Sequence, residues 1–120
     1  MSGGGESRFP PTMRLKRRSE FRRVFQDGIV WKGPSFSLHV LPGDTGKCMG
    51  IVISRKWGNA VERNRMKRKL REAFRRNATW IPDASIIVKP ATRAREASVA
   101  DLGEALVTAV RQIVRREVSK

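Results

Sequence analysis

The chain has 120 residues, 39% of them hydrophobic, which is enough for one domain with a modest core and too few for two. Its 26 Lys and Arg against 11 Asp and Glu leave a net charge of +15, a density that resists compaction unless counterions or a polyanion neutralise it, so a nucleic acid is the default partner. A single cysteine, Cys48, excludes an internal disulfide and a cysteine-clustered zinc site, and no apolar run approaches the ~20 residues that span a bilayer, so the expected setting is the cytoplasm without a membrane partner.

Residues 1–13 (MSGGGESRFPPTM) carry glycines and prolines, have little to bury and lack a signal-peptide core; a disordered arm is expected there, followed by a single domain over 14–118. Ser19 is a candidate cap for a short helix with Phe21, Val24 and Phe25 on one face, stopped at Asp27 and Gly28. A short strand is expected around Ile29 to Lys32. Phe36, Leu38 and Val40 then alternate with Ser35, Ser37 and His39, the period of a strand with one covered face. After a turn from Pro42 to Gly46, Cys48 to Ser54 reads as a second, more buried strand paired with the first through that loop, with Cys48 as a small apolar filler.

Beyond Gly58 the period becomes helical: Val61, Met66, Leu70, Ala73 and Phe74 form a stripe and basic residues occupy most of the remaining surface. The helix stops before Pro82, and Ser85 to Lys89 makes a further strand closed by Pro90. Ser98, followed by Asp101, opens a last helix whose stripe of Leu102, Leu106, Val110, Ile113 and Val114 docks on the sheet. The expected architecture is α+β: a two-layer α/β sandwich with a small mixed sheet of about four strands, helices packed on it, and a strand-helix-strand crossover.

Between Arg55 and Arg76 stand ten Lys or Arg (Arg55, Lys56, Arg63, Arg65, Lys67, Arg68, Lys69, Arg71, Arg75 and Arg76) against only Glu62 and Glu72. A merely solvated helix face mixes Glu with Lys to gain pairs four residues apart, whereas like charges at that spacing repel, so the run points to a polyanionic partner. The ordered segments RLKRRSEFRRVFQDG (14–28), GIVISRK (50–56) and GNAVERNRMKRKLREAF (58–74), with Arg63-Asn64-Arg65 at the centre of the last, resemble the bacterial ribonuclease P protein component over most of residues 14–114.

That resemblance implies a left-handed crossover through the basic helix, a partnership with the ribonuclease P catalytic RNA and precursor tRNA, and Mg2+ held mainly by the RNA. The protein would support endonucleolytic removal of the tRNA 5′ leader without carrying catalytic or metal-binding residues itself. It further implies that Arg55, Lys56, Asn59, Arg63, Asn64, Arg65, Lys67, Arg68 and Arg71 face the catalytic RNA, and that Phe21, Phe25, Arg17, Arg18 and His39 line a cleft for the single-stranded leader. His39 stands where the family has an aromatic residue, often Tyr, and Trp57 replaces a smaller aliphatic one. Beside this stand two alternatives. A small basic ribosomal protein would share the charge but need no cleft, and a self-sufficient nuclease would need a carboxylate cluster or histidine pair that the sequence does not offer.

Overall fold

The computed structural model describes residues 13–43 and 46–119, so the expected N-terminal arm and the tip of the 42–46 turn lie outside the described residues. In chain order the elements are α1 (Arg18–Asp27), β1 (Ile29–Lys32), β2 (Phe36–Pro42), β3 (Cys48–Ile51), α2 (Ala60–Arg76), β4 (Ala84–Pro90) and α3 (Val99–Ser119). The four strands form one mixed sheet in the order β1-β2-β4-β3, antiparallel except for the β3/β4 pair. The α+β sandwich expected from the sequence is thus present, and β3-α2-β4 is its crossover.

The strand pairing corrects one expectation: β3 does not pair with β2, because β4 lies between them. Ile86, Ile87 and Val88 are all fully buried, so β4 needs cover on both faces, which a central position supplies and an edge cannot. The segment expected to be the more buried strand is instead the edge, ending at Ile51 with Val52 39% exposed.

The main core fills one face of the sheet. Phe36, Leu38 and Val40 from β2 and Ala84, Ile86 and Val88 from β4 meet Met66, Leu70 and Phe74 of α2 and Leu102, Leu106, Val110 and Ile113 of α3. Val61, read as part of the α2 stripe, is 62% exposed. Counting back from Met66 by three or four residues reaches Arg63 and Glu62, so Val61 falls one position off the buried line. Helix α3 begins as expected, with Ser98 Oγ accepting from the Asp101 N–H at 3.0 Å.

Helix α1 covers part of the opposite face, where Val24 packs with Leu15 and Ile87, flanked by Phe21, Leu41 and Cys48. Its cap is not Ser19, which already lies inside the first turn. Glu20 reaches back instead and accepts the backbone N–H groups of Arg17 (2.8 Å) and Lys16 (3.1 Å). Those bonds, the one from Arg17 first, hold the Glu20 carboxyl below its ordinary pKa.

Candidate nucleic-acid interface

The entry to α2 is built by its own polar side chains. Asn59 Oδ1 accepts the Glu62 N–H and Glu62 Oε1 accepts the Asn59 N–H, both at 2.9 Å, a reciprocal capping box. Arg63 Nη1 donates to the Gly58 carbonyl at 3.0 Å and to that of Arg55 at 3.4 Å, which ties the preceding turn to the helix. Asn59 and Arg63, expected to face a nucleic acid, therefore also hold the local backbone, and Asn59 keeps its amide NH2 for a partner.

Beyond that first turn the helix presents cations in the open. Asn64, Arg65 and Arg68 are exposed, as are Arg55 and Lys56 before the helix, while Lys67 and Arg71 are half-buried. Burial, with Arg14 adding repulsion, pulls the Arg71 pKa below its ordinary value. The two acids sit near the helix ends: Glu72 accepts from Arg75 and Arg76 at 2.6 and 2.7 Å, and Glu62 lies 3.9 Å from Arg95. From Arg65 to Arg71 five cations follow with no acid among them, so repulsion along the helix is relieved only by something negative outside it.

A second surface lies across the sheet. Strand register places Val30, His39, Ile87 and Gly50 in one row and Lys32, Ser37 and Lys89 in the next row on the same face. Helix α1 covers the Ile87 and Gly50 end. Phe21 lies so close over Gly50 that a Cβ added there would come within 2.6 Å of Phe21 Cζ, so only glycine leaves room for the ring. Phe25 stands at the edge, 38% exposed, packed edge-on against His39 with ring centroids 4.7 Å apart and with Lys89 Nζ 5.1 Å from its centroid.

The result is a groove with an aromatic wall, a β floor and a cationic rim. Burial, with Lys89 nearby, lowers the His39 pKa below its ordinary value, which favours the neutral imidazole, and its Nδ1 is buried with no partner among the described residues. Phe21, Phe25 and His39 are thus brought onto one face of the sheet, while Arg17 and Arg18 sit exposed at the far end of α1. Lys89 was not singled out from the sequence, although its position two residues after Ile87 on an alternating strand is the signal that puts it on the same face.

The groove and the helix are continuous along the chain. The Val52 N–H donates to the Val88 carbonyl at 3.0 Å, so the segment leaving β3 runs beside Lys89 before it reaches Arg55 and Lys56. Among the described residues no three His, Cys, Asp or Glu side chains are placed to hold a metal ion, and no helix is long and apolar enough to cross a membrane.

Known proteins share both sequence and shape with this chain. The family model described as Ribonuclease P matches residues 9–114. A ribonuclease P protein component from Finegoldia magna is 31% identical over 110 residues, covering 91% of this chain and 97% of that protein. One from Xylella fastidiosa is 36% identical over 107 residues, covering 88% and 79% respectively. Among solved structures, the ribonuclease P protein from Thermotoga maritima superposes with a TM-score of 0.73 at 31% identity, covering 83% of this chain and 96% of that one. The ribonuclease P protein from Staphylococcus aureus does so with a TM-score of 0.71 at 27% identity, over 86% and 95%.

Proposed function

The chain belongs to the ribonuclease P protein family, and from that premise we propose that it is the protein subunit of a ribonuclease P particle in the cytoplasm, in which a catalytic RNA cleaves precursor tRNA and this chain holds both RNAs. The observation that carries this reading is the pairing of two unlike surfaces. Helix α2 offers free cations suited to folded RNA, and the α1 groove offers an exposed phenylalanine, a neutral histidine and lysines suited to a single strand.

In the groove, Phe25 stacks a leader base while Lys32 and Lys89 neutralise its phosphates. Stacking on an aromatic face accepts any base, which fits an enzyme that must process leaders of many sequences. On α2, Arg65 and Arg68 clamp phosphates of the catalytic RNA and the amide of Asn64 adds a directional bond. Arg55 and Lys56, between the two surfaces, bring the leader alongside the catalytic RNA. A ribosomal RNA-binding protein would have use for the helix but none for the groove.

On α2 neither acid is open to a magnesium ion, since Glu62 is engaged in the helix cap and Glu72 by two arginines, which supports a metal held by the RNA. Bound by the RNA, magnesium would supply an activated water and charge stabilisation for phosphodiester hydrolysis. This chain's residues bind, orient and neutralise. The test is cleavage of a precursor tRNA at low magnesium by a bacterial ribonuclease P RNA with and without this protein, and by the protein alone. Stimulation of the RNA, with no cleavage by the protein alone, is expected. A folded, RNA-binding protein that leaves the RNA unstimulated would overturn the reading.

A further inference from the structure

Trp57 closes the turn before α2 and is only 5% exposed, yet its indole N–H has no acceptor among the described residues. Buried donors are almost always satisfied, so an unpaired one calls for a reason. Above the indole lies Arg95, from the turn Thr92–Glu96, its guanidinium 4.7 Å from the ring centroid and donating to the Trp57 carbonyl. Lys69 holds that turn in place through bonds to the carbonyls of Arg95 (3.1 Å) and Ala97 (2.5 Å). The guanidinium is held by the Trp57 carbonyl and ring, with the Glu62 carboxylate 3.9 Å away, on a turn that Lys69 fastens, the kind of support a binding platform needs.

Beside this stack is a cavity of about 170 Å³, lined by Trp57, Glu62, Arg65, Met66, Lys69 and Arg95. At roughly 30 Å³ per water it exceeds what one ordered water would fill. Its wall is apolar, from Met66 and Trp57, and its rim carries three cations against one carboxylate. A bare anion would not need the wall, and an apolar peptide would not need the cations. Arg65, exposed and making no hydrogen bond or ion pair among the described residues, joins the cavity to the basic face of α2.

Resting on the RNA-binding reading above, we propose that this cavity receives one unstacked nucleotide of the partner RNA. The base enters edgewise between Met66 and the guanidinium of Arg95, which stacks on it, and a base nitrogen or carbonyl oxygen accepts from the Trp57 indole. Arg65 clamps the adjoining phosphate. Trp57 is thus the buried support of a nucleotide pocket, and Arg95, outside the basic helix, is a binding residue.

The test measures the affinity of the full chain for a bacterial ribonuclease P RNA, using wild type, Arg95→Ala, Arg95→Lys and Trp57→Phe. It adds ultraviolet cross-linking of the wild-type complex, with adducts located by mass spectrometry. Arg95→Ala is expected to weaken binding roughly 5- to 150-fold, the worth of one stacked base, and Arg95→Lys to recover less than half of the loss on a logarithmic scale because it keeps the charge without the plane. Trp57→Phe keeps the ring, loses the N–H and weakens binding by a smaller factor. A nucleotide adduct is expected on Trp57 or Met66. Full recovery by Arg95→Lys overturns the pocket, as does a cross-linked complex with adducts elsewhere on α2 and none on these two residues. If a variant fails to fold, the cross-link on wild type decides. Absence of any RNA binding by wild type would instead sink the RNA-binding reading itself.

Discussion

Replacing Phe25 by alanine isolates the groove from the rest of the molecule. The ring is 38% exposed and touches His39 and Lys89, both at the same groove, while none of the buried core residues of α2 or α3 leans on it. Its removal should therefore cost much less than the ~3–5 kcal/mol of truncating a fully buried phenylalanine. The lost base stack is worth ~1–3 kcal/mol, which corresponds to about a 5- to 150-fold rise in Kd. The assay is equilibrium binding of the reconstituted particle to a precursor tRNA with an extended leader and, separately, to the mature tRNA that lacks it. The penalty should appear only for the precursor, and Phe25→Tyr should show little of it. An equal loss for both RNAs, or none for either, would refute the assignment of a single-stranded ligand to this groove.

Arg68→Ala should leave the thermal midpoint unchanged, because the exposed side chain makes no described bond, while lowering the slope of log affinity for the catalytic RNA against log salt by about 0.7–0.9; an unchanged slope would remove Arg68 from the interface. Glu72, held at a pKa of about 2 by hydrogen bonds from Arg75 and then Arg76, has a depressed folded value, so its stabilisation is complete above the ordinary 4.5 and is lost as pH falls toward 2. Urea unfolding of wild type and Glu72→Gln should accordingly differ at pH 6 and by much less at pH 2.5, and a gap independent of pH would contradict this. Gly50→Ala should displace Phe21, lowering both stability and leader affinity, whereas Gly43→Ala, where a Cβ meets nothing within 4 Å, should change neither.

Local pattern made most of this fold legible. Alternation in β2 separated the core residues Phe36, Leu38 and Val40 from His39, and the helical stripe of α2 was correct at Met66, Leu70, Ala73 and Phe74. What failed depended on long-range placement. The run Cys48 to Ser54 is apolar enough for a central strand, but the crossover gave the centre to β4, and no local signal separates the two. The cap of α1 failed because Glu20, not the nearer serine, offered two backbone bonds. Arg95 and Lys89 were missed for the same reason as the strand order: their partners Trp57 and Phe25 lie 38 and 64 positions away in sequence.

Among the cations that carry the net charge, two classes have different consequences. Lys47 donates to the carbonyls of Ala78 and Ile81, Lys69 to those of Arg95 and Ala97, Arg63 to Gly58 and Arg95 to Trp57, so these four fasten turns to the sheet and to α2. Arg55, Lys56, Arg65 and Arg68 are exposed and fasten nothing described. A substitution in the first class alters backbone geometry and charge together, so a loss of RNA affinity there mixes two causes, and at Arg95 the lysine variant and the cross-link, not the alanine loss alone, decide the nucleotide pocket. Only the second class reports the interface alone. The fixed cations also explain how so basic a chain keeps a defined surface before any RNA arrives: part of its charge is already turned inward onto carbonyl dipoles, and repulsion among the remainder is what a polyanion relieves.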